Sequence, residues 1–196
     1  MRILILTHPR SGGFSLLSWI SQELNCSSYH EPLQTGSREI CQIDPNAVVK
    51  EDVSSVLTCF PDLVTFLSKF DRVIFHTRTS LRDCAISRVR QLSTGESHVV
   101  YAIDAAWLAA HETQIARTEM ESVGMHGAIL SAASRFKGEG ITTSYEGVYH
   151  SGDDIQRICQ FIGVSDPQWT DMLNPKRRLQ GGDPGLPPAV KKARLI

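Results

Sequence analysis

The stretch Ile3-Leu4-Ile5-Leu6-Thr7-His8-Pro9-Arg10-Ser11-Gly12-Gly13-Phe14 decides the fold. Four consecutive aliphatic residues and a threonine match a strand buried on both faces, as in a parallel sheet. His8 to Gly13 is a tight turn, rich in residues that interrupt regular structure. Beyond it, Phe14, Leu17, Ile20 and Leu24 recur at helical spacing. The chain therefore opens strand, glycine turn, helix.

The same unit returns further on. Arg72-Val73-Ile74-Phe75-His76-Thr77 predicts a second strand, followed by a helix from about Ser80 to Leu92. A third strand is predicted at Ile141 to Tyr145, before a helix carrying Ile155, Ile158, Cys159 and Ile162 on one face. Helices are also expected over about Val53–Phe70, interrupted at Pro61, and over about Val100–Phe136. Strands alternating with helices imply an α/β fold, a parallel sheet with helices on both faces. Trp19 and Trp107 fall among helical apolar positions and are expected in the core. From about Asn174 the composition changes: Lys176, Arg177, Arg178, Lys191, Lys192 and Arg194 accompany a single acid, Asp183, among prolines and glycines. Residues 1–173 thus read as one α/β domain and residues 174–196 as a basic C-terminal arm.

Composition narrows the function classes. A chain of 196 residues, 41% hydrophobic and 21% charged, can bury a full core without a disulfide or metal staple. Twenty basic against twenty-one acidic residues leave a net charge of -1, unlike a nucleic-acid coat or a binder of anionic membranes. A local basic pocket remains open. The five cysteines (Cys26, Cys41, Cys59, Cys84 and Cys159) form no C-x-x-C pair and read as reduced thiols. Among the histidines there is no H-E-x-x-H, and Cys26 with His30 lacks a second ligand pair, so no metal site is expected. The longest apolar stretch, Val99 to Ala110, is broken by Asp104, and Ile3–Leu6 is too short for a signal core. No membrane span is expected, and the reading is a cytoplasmic protein.

A strand that enters a glycine turn and then a helix is a general device for holding phosphate. Turn amides converge on the anion, and the helix N-terminus adds partial positive charge. Here Ser11, Gly12 and Gly13 permit close backbone approach, Ser11 and Ser15 offer hydroxyls, and Arg10 supplies a full charge. The nucleoside-triphosphatase pattern G-x-x-x-x-G-K-[ST] and the dinucleotide pattern G-x-G-x-x-G are both absent.

Pro9-Arg10-Ser11-Gly12, with Ser15-Leu16-Leu17 beyond it, resembles the P-[KR]-S-G-[ST]-[ST] loop of sulfotransferases that use 3′-phosphoadenosine 5′-phosphosulfate (PAPS). Val73 to Arg78, followed by Ser80-Leu81-Arg82-Asp83-Cys84-Ala85-Ile86-Ser87, is similar to that family's strand-Arg-loop-helix-Ser segment. His30-Glu31-Pro32 resembles a short acidic motif of bacterial-type members. Thr143-Ser144-Tyr145-Glu146, ahead of Phe161-Ile162-Gly163, resembles their "YE-dL … FLG" segment. The matches run in order from residue 3 to about 180. Two departures stand out: Gly13-Phe14 occupies the positions of the consecutive hydroxyl residues, and Arg78 and Ser87 are nine apart where many members have eight.

The resemblance implies a P-loop-like fold and transfer of a sulfuryl group from PAPS to a hydroxyl or amine, without a metal. It implies Arg10, Ser11, Gly12, Gly13 and Ser15 at the 5′-phosphosulfate, and Arg78 and Ser87 at the 3′-phosphate. Lys176, Arg177 and Arg178 are similar to the basic stretch that closes over the nucleotide. Glu31 is expected to be the base, with His30 as the alternative, and Arg10 to stabilise the departing phosphate. Arg82, Arg88 and Arg90 read as surface charges. The acceptor, a small molecule, carbohydrate or lipid, leaves no signature in the sequence. A nucleotide-binding scaffold without turnover and a divergent phosphoryl-transfer enzyme stay open beside the sulfotransferase reading.

Overall fold

The computed structural model describes residues 1–34, 43–60, 62–95, 105–168 and 170–173. Its centre is β1 (Arg2–Thr7), in which Ile3, Leu4, Ile5 and Leu6 are fully buried. Around it lies a five-stranded, all-parallel sheet in the order β2-β3-β1-β4-β5, with β2 Ser27–His30, β3 Ala47–Asp52, β4 Arg72–Thr77 and β5 Glu139–Ser144. The predicted α/β architecture is observed. The strands expected from sequence at residues 3, 72 and 141 are β1, β4 and β5, whereas β2 and β3 carried no expectation.

Strand side chains alternate between the two faces, and each face is covered. On one, Ile3, Ile5, Val48 and Ile74 meet Leu16, Leu17, Trp19 and Ile20 of α1 (Gly13–Glu23) and Ile158 and Ile162 of α6 (Asp153–Ile162). On the other, Leu4, Leu6, Val49, Val73 and Phe75 meet α2 (Val53–Cys59), α3 (Leu63–Leu67) and the inner residues Ile129 and Ala132 of α5 (Ala105–Arg135). The helix expected over 53–70 is thus two helices. Asp62 restarts the chain, accepting the Val64 and Thr65 amides as an N-cap. Helix α4 (Leu81–Thr94) packs Ala85 and Val89 against Ile115 of α5, with Trp107 at the edge of that cluster.

Chain order reverses at β1: β3 and β2 lie on one side, β4 and β5 on the other. In such sheets the C-terminal strand ends flanking the reversal open a crevice in which ligands bind. Thr7 of β1 pairs with His76 of β4 there, so the loops at 8–12 and 78–80 leave the sheet side by side. Among the described residues, no helix is long and apolar enough to cross a membrane.

Candidate functional site

The loop after β1 is held in an unusual shape by its neighbours. Arg10 and Gly12 have φ of 67° and 85°, both left-handed. At Gly12 an added Cβ would lie 2.7 Å from Tyr149 Cε2 and 2.8 Å from Tyr145 Cδ2, so only glycine lets the two rings close over the turn. The Tyr149 hydroxyl donates to the Gly12 carbonyl at 2.7 Å. From below, fully buried His76 donates through Nε2 to the Ser11 carbonyl and accepts the Thr143 hydroxyl at Nδ1, both at 2.9 Å. Burial holds its pKa down at about 4, so the ring is neutral and keeps both bonds. Helix α1 then starts at Gly12 with no side-chain cap among the described residues. The Ser11 hydroxyl, in a residue only 1% exposed, has no hydrogen-bond partner there.

The loop after β4 meets this turn. His8 accepts the Arg78 amide at Nε2 (3.1 Å), and burial lowers its pKa to about 4, which keeps that acceptor free of a proton. The Arg78 guanidinium lies 4.3 Å over the Tyr145 ring and donates to the Arg10 carbonyl at 3.4 Å. Its Nε is buried without a hydrogen bond, 4.0 Å from Glu146 Oε1. Glu146 accepts the Thr79 and Ser80 amides, anchoring the start of α4; burial raises its pKa, but these bonds outweigh that and leave it below the ordinary value. Arg10 Nε donates to Ser87 Oγ at 2.8 Å. Arg10, Ser11, Gly12, Arg78 and Ser87, far apart in sequence, thus form one cluster. Arg10 itself faces Ser87, the end expected for the 3′-phosphate.

A second group lies where β3 ends beside α1. Lys50, almost fully buried, contacts Glu31 through Nζ and donates to Asp52 Oδ1 at 2.6 Å; Asp52 also accepts the Thr7 hydroxyl at 2.8 Å. An added Cβ on Gly13 would come within 3.3 Å of Lys50 Cε, so the lysine stem runs along the start of α1. Glu31 has a left-handed φ of 50°, and its amide donates to the Lys50 carbonyl at 2.8 Å. His30 Nε2 is 3.5 Å from Glu31 Oε1, and its ring meets exposed Phe14 edge-on at 5.0 Å. Burial and Lys50 lower the His30 pKa against the opposing pull of Glu31 and Asp52.

The expected base is therefore one arm of a Glu31–Lys50–Asp52 network, and Lys50 went unread in the sequence. Ser15 is half-buried in the first turn of α1, its amide donating to the Gly12 carbonyl at 3.2 Å. Lys176, Arg177 and Arg178 lie outside the described residues. Arg82 is an exposed residue paired with Glu112 and Glu119, as expected, whereas Arg88 and Arg90 are half-buried. His76, Tyr149 and Lys50 are the functional candidates that sequence reasoning missed. The chain matches no protein-family model and no curated protein.

Proposed function

We propose that the chain is a sulfotransferase that binds PAPS across the β1/β4 crevice and transfers its sulfuryl group to a hydroxyl or amine. The observation that carries this reading is the meeting of the two loops: Arg10 bonds Ser87, and Arg78 bonds the Arg10 carbonyl. This arrangement supports the binding of a nucleotide that bears charge at both ends. The uncapped start of α1 and the unpartnered Ser11 hydroxyl suit its 5′ end, and Arg78 with Ser87 suits the 3′-phosphate.

PAPS, when bound, supplies an activated sulfuryl group whose bond to the bridging oxygen breaks as the bond to the acceptor forms. The protein's tasks are positioning, proton removal and charge stabilisation. Glu31 takes the acceptor's proton, with His30 beside it as the alternative. Lys50 keeps Glu31 in place, and Arg10, with its backbone in the loop, carries its guanidinium to Ser87 at the 3′ end of the nucleotide. The acceptor enters from the side of Phe14 and His30, the exposed flank of this group.

Adenosine 3′,5′-bisphosphate, the product nucleotide, should stabilise the purified protein without added metal. At about one hundred times its Kd, a gain of about 2.7 kcal/mol corresponds to a Tm increase of roughly 5–11 °C. The Arg78→Ala variant should lose most of it. A larger shift with magnesium–ATP would overturn the reading in favour of phosphoryl transfer. Binding without transfer from labelled PAPS to any acceptor offered would favour a scaffold without turnover.

A further inference from the structure

The turn that carries Glu31 is held from both faces of β3. Strand β2 ends at His30, in register with Lys50, and the chain then crosses the end of β3. Glu31 starts the crossing with its left-handed φ of 50°. Its amide donates to the Lys50 carbonyl at 2.8 Å, and its carbonyl accepts the Gln34 amide at 3.0 Å. Lys50 and Glu51 are consecutive in a strand, so their side chains leave opposite faces of the sheet. Lys50 meets the Glu31 carboxylate on the α1 face. Fully buried Glu51 accepts the Leu33 amide at Oε1 (2.7 Å) on the other face, where Leu33 joins the cluster of Leu6, Val49 and Val53.

We propose that Glu51 is a positioning residue for the base: by receiving the Leu33 amide it fixes the 31–34 turn and so holds the Glu31 carboxylate against Lys50. The role rests on the reading of Glu31 as the base, and adds to it a residue from the far face of the sheet. A left-handed backbone is costly for a residue with a Cβ, so Glu31 keeps it only while the chain on both sides is tied down. Lys50 ties the near side, through its carbonyl and its ammonium. Glu51 ties the far side, because a buried amide deprived of its acceptor moves out to water. That movement carries the turn away from β3 and lets Glu31 relax. The task needs an acceptor at Oε1 and no charge, so an amide side chain of the same shape performs it as well.

The test compares wild type, Glu51→Gln and Glu51→Met, which keeps the length of the side chain but not the acceptor. Amide exchange at Leu33 is followed by NMR, and transfer from labelled PAPS is measured to 4-nitrophenol and to glucosamine, one hydroxyl and one amine. Glu51→Met should exchange Leu33 at least about tenfold faster and lose about 10- to 100-fold in kcat. Its KM for PAPS and its Kd for adenosine 3′,5′-bisphosphate should stay within about twofold, and Glu51→Gln should match wild type throughout. Folded Glu51→Met with wild-type kcat, or Glu51→Gln failing as badly as Glu51→Met, would overturn the assignment. So would a Leu33 amide that exchanges in wild type as fast as in an unfolded chain, a measurement that needs no variant to fold. Wild type transferring to neither acceptor would count against the sulfotransferase reading and not against the hold on the turn. Leu33 then decides alone, and exchange no faster in Glu51→Met than in wild type overturns that hold.

Discussion

Glu51 gives the structure a measurable signature. It lies on β3 between Lys50 and Asp52, yet points to the opposite face, where its Oε1 accepts the Leu33 amide at 2.7 Å. Its Oε2 is buried with no partner among the described residues, and the side chain is fully enclosed. Burial raises its pKa from the ordinary 4.5 to about 7, against the smaller opposing pulls of the Leu33 amide and Lys50. Between those two values the folded protein keeps a proton that the unfolded chain has lost. Stability therefore falls by about 1.4 kcal/mol per pH unit over this window, about 3 kcal/mol in all. The stabilising contribution is complete below pH 4.5 and is lost as pH rises through about 7. In Glu51→Gln the side chain keeps its shape and its acceptor for Leu33 but no longer titrates. Urea unfolding of both proteins, at intervals from pH 4.5 to pH 8, should show Glu51→Gln gaining about 3 kcal/mol on wild type across the series. His8 and His76 also titrate differently on folding, but they affect both proteins alike and cancel in the difference. A flat difference curve would refute the reasoning, since it would mean that Glu51 ionises in the folded state as readily as in the unfolded chain.

Two further outcomes follow from the candidate site. Glu31→Gln should bind adenosine 3′,5′-bisphosphate within about twofold of wild type while slowing sulfuryl transfer roughly 10²–10⁴-fold, the usual contribution of a general base; near-normal turnover there, with loss in His30→Ala, would move the role to His30. Gly12→Ala combines a left-handed backbone with contact against two tyrosine rings and should cost about 2–4 kcal/mol, measured by urea unfolding, so a change under about 1 kcal/mol would show that the rings give way freely.

Two of the three strands legible in the sequence, β1 and β4, are uniformly buried apolar runs, while the third, β5, is a largely exposed edge. Ile3–Leu6 and Val73–Phe75 are apolar because both faces of the sheet are covered, and no other element offers so short an unbroken run. Strand β2 escaped notice because Ser27-Ser28-Tyr29-His30 is a partly exposed edge. Strand β3 escaped for the opposite reason. Its Lys50-Glu51-Asp52 end reads as solvated surface, but the three residues are buried and tied to Glu31, Thr7 and Leu33. A charge run is buried when its partners come from elsewhere in the chain, and sequence patterning does not carry that information. The same limit applies to the site. Arg10, Gly12, Arg78 and Ser87 sit in local motifs, whereas Tyr149 reaches Gly12 across 137 residues.

The departure at Gly13-Phe14 has a steric reason once Lys50 is in view. A Cβ on residue 13 would lie 2.6 Å from Thr7 Cγ2 and 3.3 Å from Lys50 Cε. A hydroxyl-bearing side chain at 13 and the lysine stem therefore compete for one volume beside the first turn of α1. With glycine there, Lys50 can run along the helix start, and its ammonium is oriented by Glu31 on one side and Asp52 on the other. Asp52 is fixed in turn by the Thr7 hydroxyl, so the residue that excludes a larger side chain at 13 also orients the lysine's partner. The lysine's charge is met by the two carboxylates, so it braces the start of α1 without adding net positive charge there. On the same flank Phe14 stays exposed, its ring edge-on to His30. Gly13, Lys50, Asp52 and Thr7 thus form one packed arrangement beside the first turn of α1, in which the lysine stem occupies the space a side chain at 13 would need.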